Sequence, residues 1–186
     1  MSFSCKSQQK NIEIELKECV NETINRYIDN YYGYGKLDFY PFIIELENSL
    51  IESGLLKDSS KKEYMNFFDE FSINEKGIIY GKEFEKIEIL MKENKFDIRN
   101  SLLLLDLIKN CPYKIIKENN LSQESLLYKQ TLTVEKLYGS DSGFGDKNIL
   151  YSFIKNINSK EFEKIVYRAP VILLVYTNMK IRYDKE

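Results

Sequence analysis

The chain has 186 residues, of which 43% are hydrophobic and 30% are charged, and its formal net charge is −2. A chain of this length buries about 70% of its unfolded surface on folding, which is enough for a hydrophobic core. Its proportions of hydrophobic and charged residues are those of a globular protein and exclude a disordered chain. The absence of histidine excludes Ser-His-Asp and Cys-His catalysis, His-ligated zinc and an imidazole pH switch. We expect one helical domain spanning residues 1–186.

The cysteines and the apolar segments indicate the cellular compartment of the protein. Cys5, Cys19 and Cys111 form no CxxC pair, which predicts the absence of a disulfide framework and a reducing cytosol. The N-terminus lacks the apolar run of a secretory signal, and the longest uncharged apolar stretch, 169–177, is too short to cross a bilayer. We therefore expect a cytoplasmic protein that does not bind membranes.

The residue usage indicates a bacterial or mobile-element origin. Lysine far outnumbers arginine, isoleucine and asparagine are frequent, and Ala169 is the only alanine. This bias is typical of AT-rich coding DNA.

Residues 10–31 form the clearest predicted helix. Placed on a helical wheel of about 100° per residue, its apolar and small side chains share one face. That face contains Ile12, Leu16, Cys19, Val20, Thr23, Ile24, Tyr27, Ile28 and Tyr31. The opposite face carries the acidic residues Glu15, Glu18, Glu22 and Asp29. Gly33 is the expected C-cap.

Three more helices are predicted in the N-terminal half. The second begins after Asp38 as its N-cap, has Pro41 in its first turn and ends before Gly54. Apolar stripes predict a third helix over 60–71 and a fourth over 82–94.

The middle of the chain contains the most apolar predicted helix. Asp97 caps this fifth helix, and its run 102–108 is apolar nearly all round, which is typical of the centre of a bundle. Pro112 follows and is expected to lie just beyond the helix end. The short apolar piece 77–81 lies between glycines and predicts a turn or a short strand.

Three capping signals predict the next helices. Ser122 is the expected N-cap of a sixth helix that ends at Tyr138, and Asp146 is the expected N-cap of a seventh. Asn158 and Glu161 have the spacing of a capping box for an eighth.

The C-terminal run 171–176 is either a helix with Pro170 in its first turn or a buried strand. We favour the helix, because no other segment offers a partner strand to pair its backbone groups. The fold class expected is therefore mainly all-α, a compact multi-helix bundle of about seven to nine helices with at most a minor β element.

Two segments invite a functional interpretation. The loop 139–147 fails the dinucleotide, P-loop and calcium-loop patterns, so it is either a plain connection or a partner-contacting loop that carries Asp141 and Phe144. The aromatic stretch 30–35 has only Lys36 beside it, which disfavours nucleic-acid stacking and favours a tyrosine-rich helix end packed on the domain.

Acidic residues are unevenly distributed. Residues 1–95 contain 18 acidic and 13 basic side chains, whereas residues 96–186 contain 11 acidic and 14 basic ones. Asp38, Glu45 and Glu52 are seven residues apart and form a second acidic row beside that of the first helix. Such rows are either a solvated surface or a surface that pairs with a basic protein. Helix faces spread carboxylates apart, so we predict no metal site.

The prediction is a small cytosolic binding protein that neutralises a protein partner, in the manner of an immunity protein that blocks a nuclease-type bacterial toxin. We predict no catalytic residues, no cofactor and no direct nucleic-acid binding. The predicted partner-binding residues are Glu15, Glu18, Glu22, Asp29, Asp38, Glu45, Glu52, Asp141 and Phe144. The alternatives are an inhibitor or adaptor from a phage or mobile element, and an enzyme that uses carboxylates alone.

Overall fold

The structure is a computed structural model that describes residues 2–33, 36–73, 81–94, 96, 109–140 and 146–183. These residues form nine helices and no strand, which confirms the all-α prediction for this part of the chain. The helices are α1 (Ser2–Tyr32), α2 (Phe39–Glu52), α3 (Lys61–Ile73), α4 (Gly81–Glu93), α5 (Cys111–Glu118), α6 (Leu126–Gly139), α7 (Lys147–Lys155), α8 (Ser159–Phe162) and α9 (Ile165–Tyr183).

Helix α1 buries an apolar line with a spacing of four residues. The buried members of this line are Ile12, Leu16, Val20, Ile24 and Ile28. A spacing of four drifts about 40° around the helix at each step, so the buried direction has moved by the last turn. As a result Tyr31, predicted to face inward, is 66% exposed. Gly33 ends the helix with φ 73°, and its N–H donates to the Asp29 carbonyl at 3.0 Å.

The start of α2 is held by α1. Asp38 occupies the N-cap position as predicted, but its side chain makes no capping hydrogen bond. Instead, Asn21 Oδ1 accepts a hydrogen bond from the Phe39 N–H at 3.1 Å. The Asn25 amide accepts from the Leu37 N–H at 2.8 Å and donates to the Leu37 carbonyl at 3.2 Å. Two asparagines of α1 therefore fix where the second helix begins.

Helix α5 corrects the sequence prediction around Pro112. Pro112 was expected beyond a helix end, but it lies in the first turn of a helix that begins at Cys111. Residues 109 and 110, directly before this helix, are π-helical, so the proline lies within a continuous helical stretch and not beyond a helix end. The predicted fifth helix, 97–108, lies outside the described residues. So does the segment 77–81, except for Gly81, which begins α4.

Side-chain caps position the helices of the C-terminal half. Helix α6 is capped by Ser125, whose Oγ accepts from the Tyr128 N–H, and not by Ser122 as predicted. Asp146 caps α7 as predicted. Asn158 caps α8 as predicted, because its Oδ1 accepts from the Glu161 backbone N–H at 3.0 Å. The Glu161 carboxylate accepts from the Asn158 side-chain amide at 2.6 Å, whereas a capping box would use the Asn158 backbone N–H.

Helix α9 is the central helix of the described fold. It contacts α1, α2 and α8, and all residues from 171 to 179 are buried. The prediction that 171–176 is helical is confirmed. Pro170 was expected in the first turn, but α9 begins at Ile165 and encloses it. Packing on three neighbours holds the helix together across the proline, which removes one hydrogen bond from its interior.

The remaining helices pack around this centre. Helix α6 contacts α5 and α7, α7 contacts α3, and α2 contacts α4. The buried apolar side chains of the described residues form one core cluster. The single domain over 1–186 stays a prediction. None of the described helices combines the length and the apolar character needed to cross a membrane.

Candidate functional site

A buried charged cluster joins α2, α3 and α9. The Glu47 side chain is only 4% exposed. Arg168 donates to it twice, from Nε to Oε1 at 2.9 Å and from Nη2 to Oε2 at 3.0 Å. The Tyr64 hydroxyl donates to Oε1 at 2.7 Å. Burial, followed by the nearby Glu47 charge, raises the pKa of Tyr64 well above its usual range, so this hydroxyl stays a neutral donor.

The third guanidinium nitrogen of Arg168, Nη1, also donates hydrogen bonds. Its Nη1 donates to the carbonyls of Phe162 and Glu163 at 2.8 and 2.9 Å, at the end of α8. The guanidinium also lies 5.9 Å from the centre of the Phe162 ring. Each group of the cluster therefore bonds to another part of the fold. This is the arrangement of a structural clamp, because a catalytic group needs a face that is open to a substrate.

A local signal for this clamp existed in the sequence. Glu47 lies four residues after Ile43 and three before Leu50, which places a carboxylate on the apolar stripe of α2. A buried charge requires a partner, so a glutamate in that position predicts a buried cation. The sequence does not show which cation, and Arg168 is 121 residues away.

The cysteine prediction is wrong for two of the three residues. Cys19 of α1 and Cys111 of α5 form a disulfide with a Cα–Cα distance of 5.8 Å across 92 residues of sequence. Spacing did not reveal this pair because it depends on α1 and α5 packing side by side. Disulfides persist chiefly in oxidising compartments, so the cytoplasmic location stays a prediction that has lost one of its reasons.

Glu15, one of the predicted partner-binding residues, is used inside the fold. Its two carboxylate oxygens accept from the Asn11 amide at 3.0 Å and the Asn119 amide at 2.7 Å. Asn119 follows the last residue of α5, so this contact ties α1 to that helix end. Glu15 is half-buried and is less available to a partner than the other acidic residues of α1.

The structure leaves four other predicted residues exposed. Glu18, Glu22, Asp29 and Asp38 are all exposed, and we call them the acidic strip. Asp38 belongs to the strip because its neighbours Leu37 and Phe39 are hydrogen-bonded to α1.

The side chains that hold Asp38 lie next to the α1 members of the strip. Asn25 is three residues after Glu22 and four before Asp29, and Asn21 is three after Glu18. Residues three and four apart are neighbours on a helix surface. The strip therefore combines carboxylates from α1 with the one that precedes α2.

The other predicted site residues are less closely grouped. Glu45 and Glu52 are exposed on α2, whereas Asp141 and Phe144 lie outside the described residues. Basic side chains also border the strip. Lys17 lies 5.5 Å from the centre of the Tyr40 ring, and Arg26 is exposed four residues after Glu22. The surface is acidic with basic residues at its edge.

The C-terminal end of α1 carries two exposed tyrosines that the sequence interpretation had placed against the domain, and Tyr32, three residues after Asp29, is the one beside the strip. Tyr31 is 66% exposed and Tyr32 is 37% exposed. The Tyr31 ring lies 4.5 Å from that of Tyr27, centre to centre. The last turn of α1 contains no basic residue, and a helix C-terminus carries a partial negative charge. This end of α1 therefore favours a cation.

Metal chemistry finds no support in the part of the chain that the structure describes, where no group of three Cys, Asp or Glu side chains is placed to hold an ion. The fold defines the class of the protein only as an all-α bundle. No protein-family model, curated protein or solved structure matches the chain. The function must therefore be argued from the residues of this chain.

Proposed function

We propose that this protein binds and blocks a basic protein partner, a nucleic-acid-cleaving bacterial toxin, through the acidic strip. The observation that supports the proposal is the exposure of four carboxylates, three on α1 and one directly before α2. Asn21 and Asn25 hold Leu37 and Phe39, on either side of Asp38, against α1.

The charge of the strip suits this class of partner. A nuclease presents positive charge to neutralise phosphates, so an inhibitor that covers the same surface gains from carboxylates. Exposed charges of this kind act mainly on the rate of encounter, because they attract the partner from a distance. Salt screens that attraction over about 10 Å at 0.1 M ionic strength.

The tyrosines at the end of α1 supply the apolar contact that charge alone lacks. Protein interfaces are enriched in tyrosine and arginine near their centres, where a few side chains carry most of the binding energy. An arginine of the partner can stack on the exposed face of Tyr32, three residues after Asp29, while it pairs with that carboxylate of the strip. The neighbouring helix end favours the same cation.

The test begins with a pull-down from the native host and identification of the bound protein by mass spectrometry. The strip is then neutralised with Glu18→Gln, Glu22→Gln, Asp29→Asn and Asp38→Asn. The matched control neutralises four exposed acids outside the strip, Glu85→Gln, Glu93→Gln, Glu118→Gln and Glu163→Gln. Both variants change the net charge by the same amount.

We expect the strip variant to associate at least about tenfold more slowly at low ionic strength, with a smaller difference at moderate salt. The control variant should differ little from the wild type. Equal association rates for both variants would remove the acidic strip as the contact surface. Failure to find any protein partner would remove the proposed function and leave the carboxylate-dependent enzyme as the alternative.

A further inference from the structure

A small cavity lies where five helices and the start of α9 meet. Its volume is about 20 Å³, and its walls come from α1, α2, α5, α6, α7 and α9. Most of the lining is apolar, and the residues that matter below are Tyr40, Gln130, Val166 and Pro170. The cavity is close to the disulfide, because Val20 and Pro112, the neighbours of Cys19 and Cys111, also line it.

Gln130 brings a polar group into this apolar setting. It is 4% exposed and lies on the core stripe of α6, three residues after Leu127 and four before Val134. Its Nε2 is buried and has no hydrogen-bond partner among the described residues. A buried amide donor without a partner costs about 1–3 kcal/mol, so natural folds rarely leave one.

A second residue that lines the cavity has a backbone carbonyl without its usual helical donor. Pro170 has no N–H, so it cannot donate the helical hydrogen bond to the carbonyl of Val166, four residues earlier. Both residues of this missing hydrogen bond line the cavity. The cavity is therefore lined by a side-chain donor on α6 and by the residue of α9 whose carbonyl lacks its helical donor.

The size of the cavity decides what fits between these two groups. A volume of about 20 Å³ exceeds the roughly 10–15 Å³ that one water molecule requires, and it is far smaller than the cavity that an organic ligand needs. A cavity lined only by apolar groups stays dry, whereas a buried water needs two to four polar partners. Tyr40 lines the same space and carries a further hydroxyl.

We infer that this cavity is a binding site for one water molecule that accepts from Gln130 Nε2 and donates to the Val166 carbonyl. The water connects α6 to the proline of α9 and so completes the backbone hydrogen bonding of the central helix. This inference is independent of the proposed function, since it depends only on the interior of the fold.

The substitution Gln130→Met tests the inference through the sign of its effect. Methionine is close in size to glutamine and lacks the amide. If the amide is bound to water, the substitution removes a satisfied hydrogen bond, and the urea midpoint of unfolding should fall. If the amide has no partner, the substitution removes a buried polar group at no cost, and the midpoint should stay equal or rise.

Thr133→Val is the matched control on the same helix. The Thr133 hydroxyl is buried and donates within α6 to the Lys129 carbonyl at 2.8 Å, so it involves no cavity water. A high-resolution crystal structure of the wild type gives a second readout that does not depend on the folding of a variant. We expect density for a water within hydrogen-bond distance of Nε2. Absence of that density, or a midpoint of Gln130→Met at or above the wild type, would overturn the inference.

Discussion

Glu47 of α2 differs from Glu18 and Glu22 of α1 in its environment, and so in its role. Glu47 of α2 is buried and accepts three hydrogen bonds from Arg168 and Tyr64. Glu18 and Glu22 of α1 are exposed. The buried carboxylate is committed to holding the fold, whereas the exposed ones remain available to another molecule. The environment of a carboxylate, and not its presence in an acidic segment, decides which of the two roles it has.

The two helices also differ in how they are attached to the rest of the protein. Helix α2 is joined to α3 and α9 by the noncovalent cluster around Glu47. Helix α1 is joined to α5 by the disulfide and by the hydrogen bond between Glu15 and Asn119. Neither attachment uses a side chain of the acidic strip, so both can be broken without changing the charges of the strip.

The largest loss of stability is expected when the buried ion pair between Glu47 and Arg168 is broken. Arg168→Met leaves Glu47 buried without its cation, and such a loss costs about 3–5 kcal/mol in the free energy of unfolding, which urea denaturation measures. Adding Glu47→Met should recover part of that loss, because replacing both members of a buried pair by apolar residues is often neutral. Arg26→Met, on the exposed side of α1, is the control and should change stability by less than about 0.5 kcal/mol. Equal losses of stability for Arg168→Met and Arg26→Met would contradict the structural role of the buried ion pair.

The disulfide is expected to give the next largest effect. Reduction, or the pair Cys19→Ser and Cys111→Ser, should lower the free energy of unfolding by about 2–4 kcal/mol, since the bond closes a long loop.

Alkylation followed by mass spectrometry provides a direct check of the disulfide. The unreduced protein should take up label on one thiol only, because two of its three cysteines are paired. Labelling of all three cysteines in unreduced protein would contradict the disulfide that attaches α1 to α5. The control is Cys5→Ser, which removes the cysteine outside the disulfide.

A smaller loss of stability is expected on substitution of Asp146, the N-cap residue of α7. A hydrogen bond from the Ser140 hydroxyl at 2.8 Å, and then the backbone N–H groups of Ile149 and Asn148, lower the pKa of Asp146 below its usual range. A lowered pKa in the folded state stabilises the protein above the unfolded pKa, and this contribution is lost as pH falls through the folded value. Asp146→Ala should therefore cost about 1 kcal/mol at neutral pH.

The difference between Asp146→Ala and the wild type should shrink as pH falls below about 3.9, the usual pKa of an aspartate, in thermal unfolding measured at several pH values. Asp38→Ala is the matched control, because Asp38 also occupies an N-cap position but makes no capping hydrogen bond. Its substitution should cost less than that of Asp146. A pH-independent loss at Asp146 would show that the charge of this carboxylate does not contribute.

Local signals in the sequence correctly predicted much of the helical layout. Asp146, Asn158 and Gly33 mark helix ends because their effect depends only on residues within one turn of them. The same reasoning failed at Pro112, which lies within a helical stretch that already includes residues 109 and 110. Ser122 and Ser125 are both acceptable caps, and the structure uses the second.

The candidate surface was predicted only in part. The exposed positions of Glu18, Glu22 and Asp29 followed from the period of the α1 stripe. The use of Glu15 by Asn119 did not, because the two residues are 104 positions apart. The addition of Asp38 to the same surface required the hydrogen bonds from Asn21 and Asn25, which no periodic pattern encodes.

The sequence by itself determined that this chain forms amphipathic helices, because helix periodicity and capping depend on hydrogen bonds and contacts three or four residues apart. Only the tertiary structure decided that Cys19 meets Cys111 and that Glu47 meets Arg168, across 92 and 121 residues. Such pairs form when particular helix faces pack together, and many partners are compatible with the same local pattern. The packing of α1, α2, α5 and α9 therefore determined which polar side chains are used inside the fold and which remain at the surface.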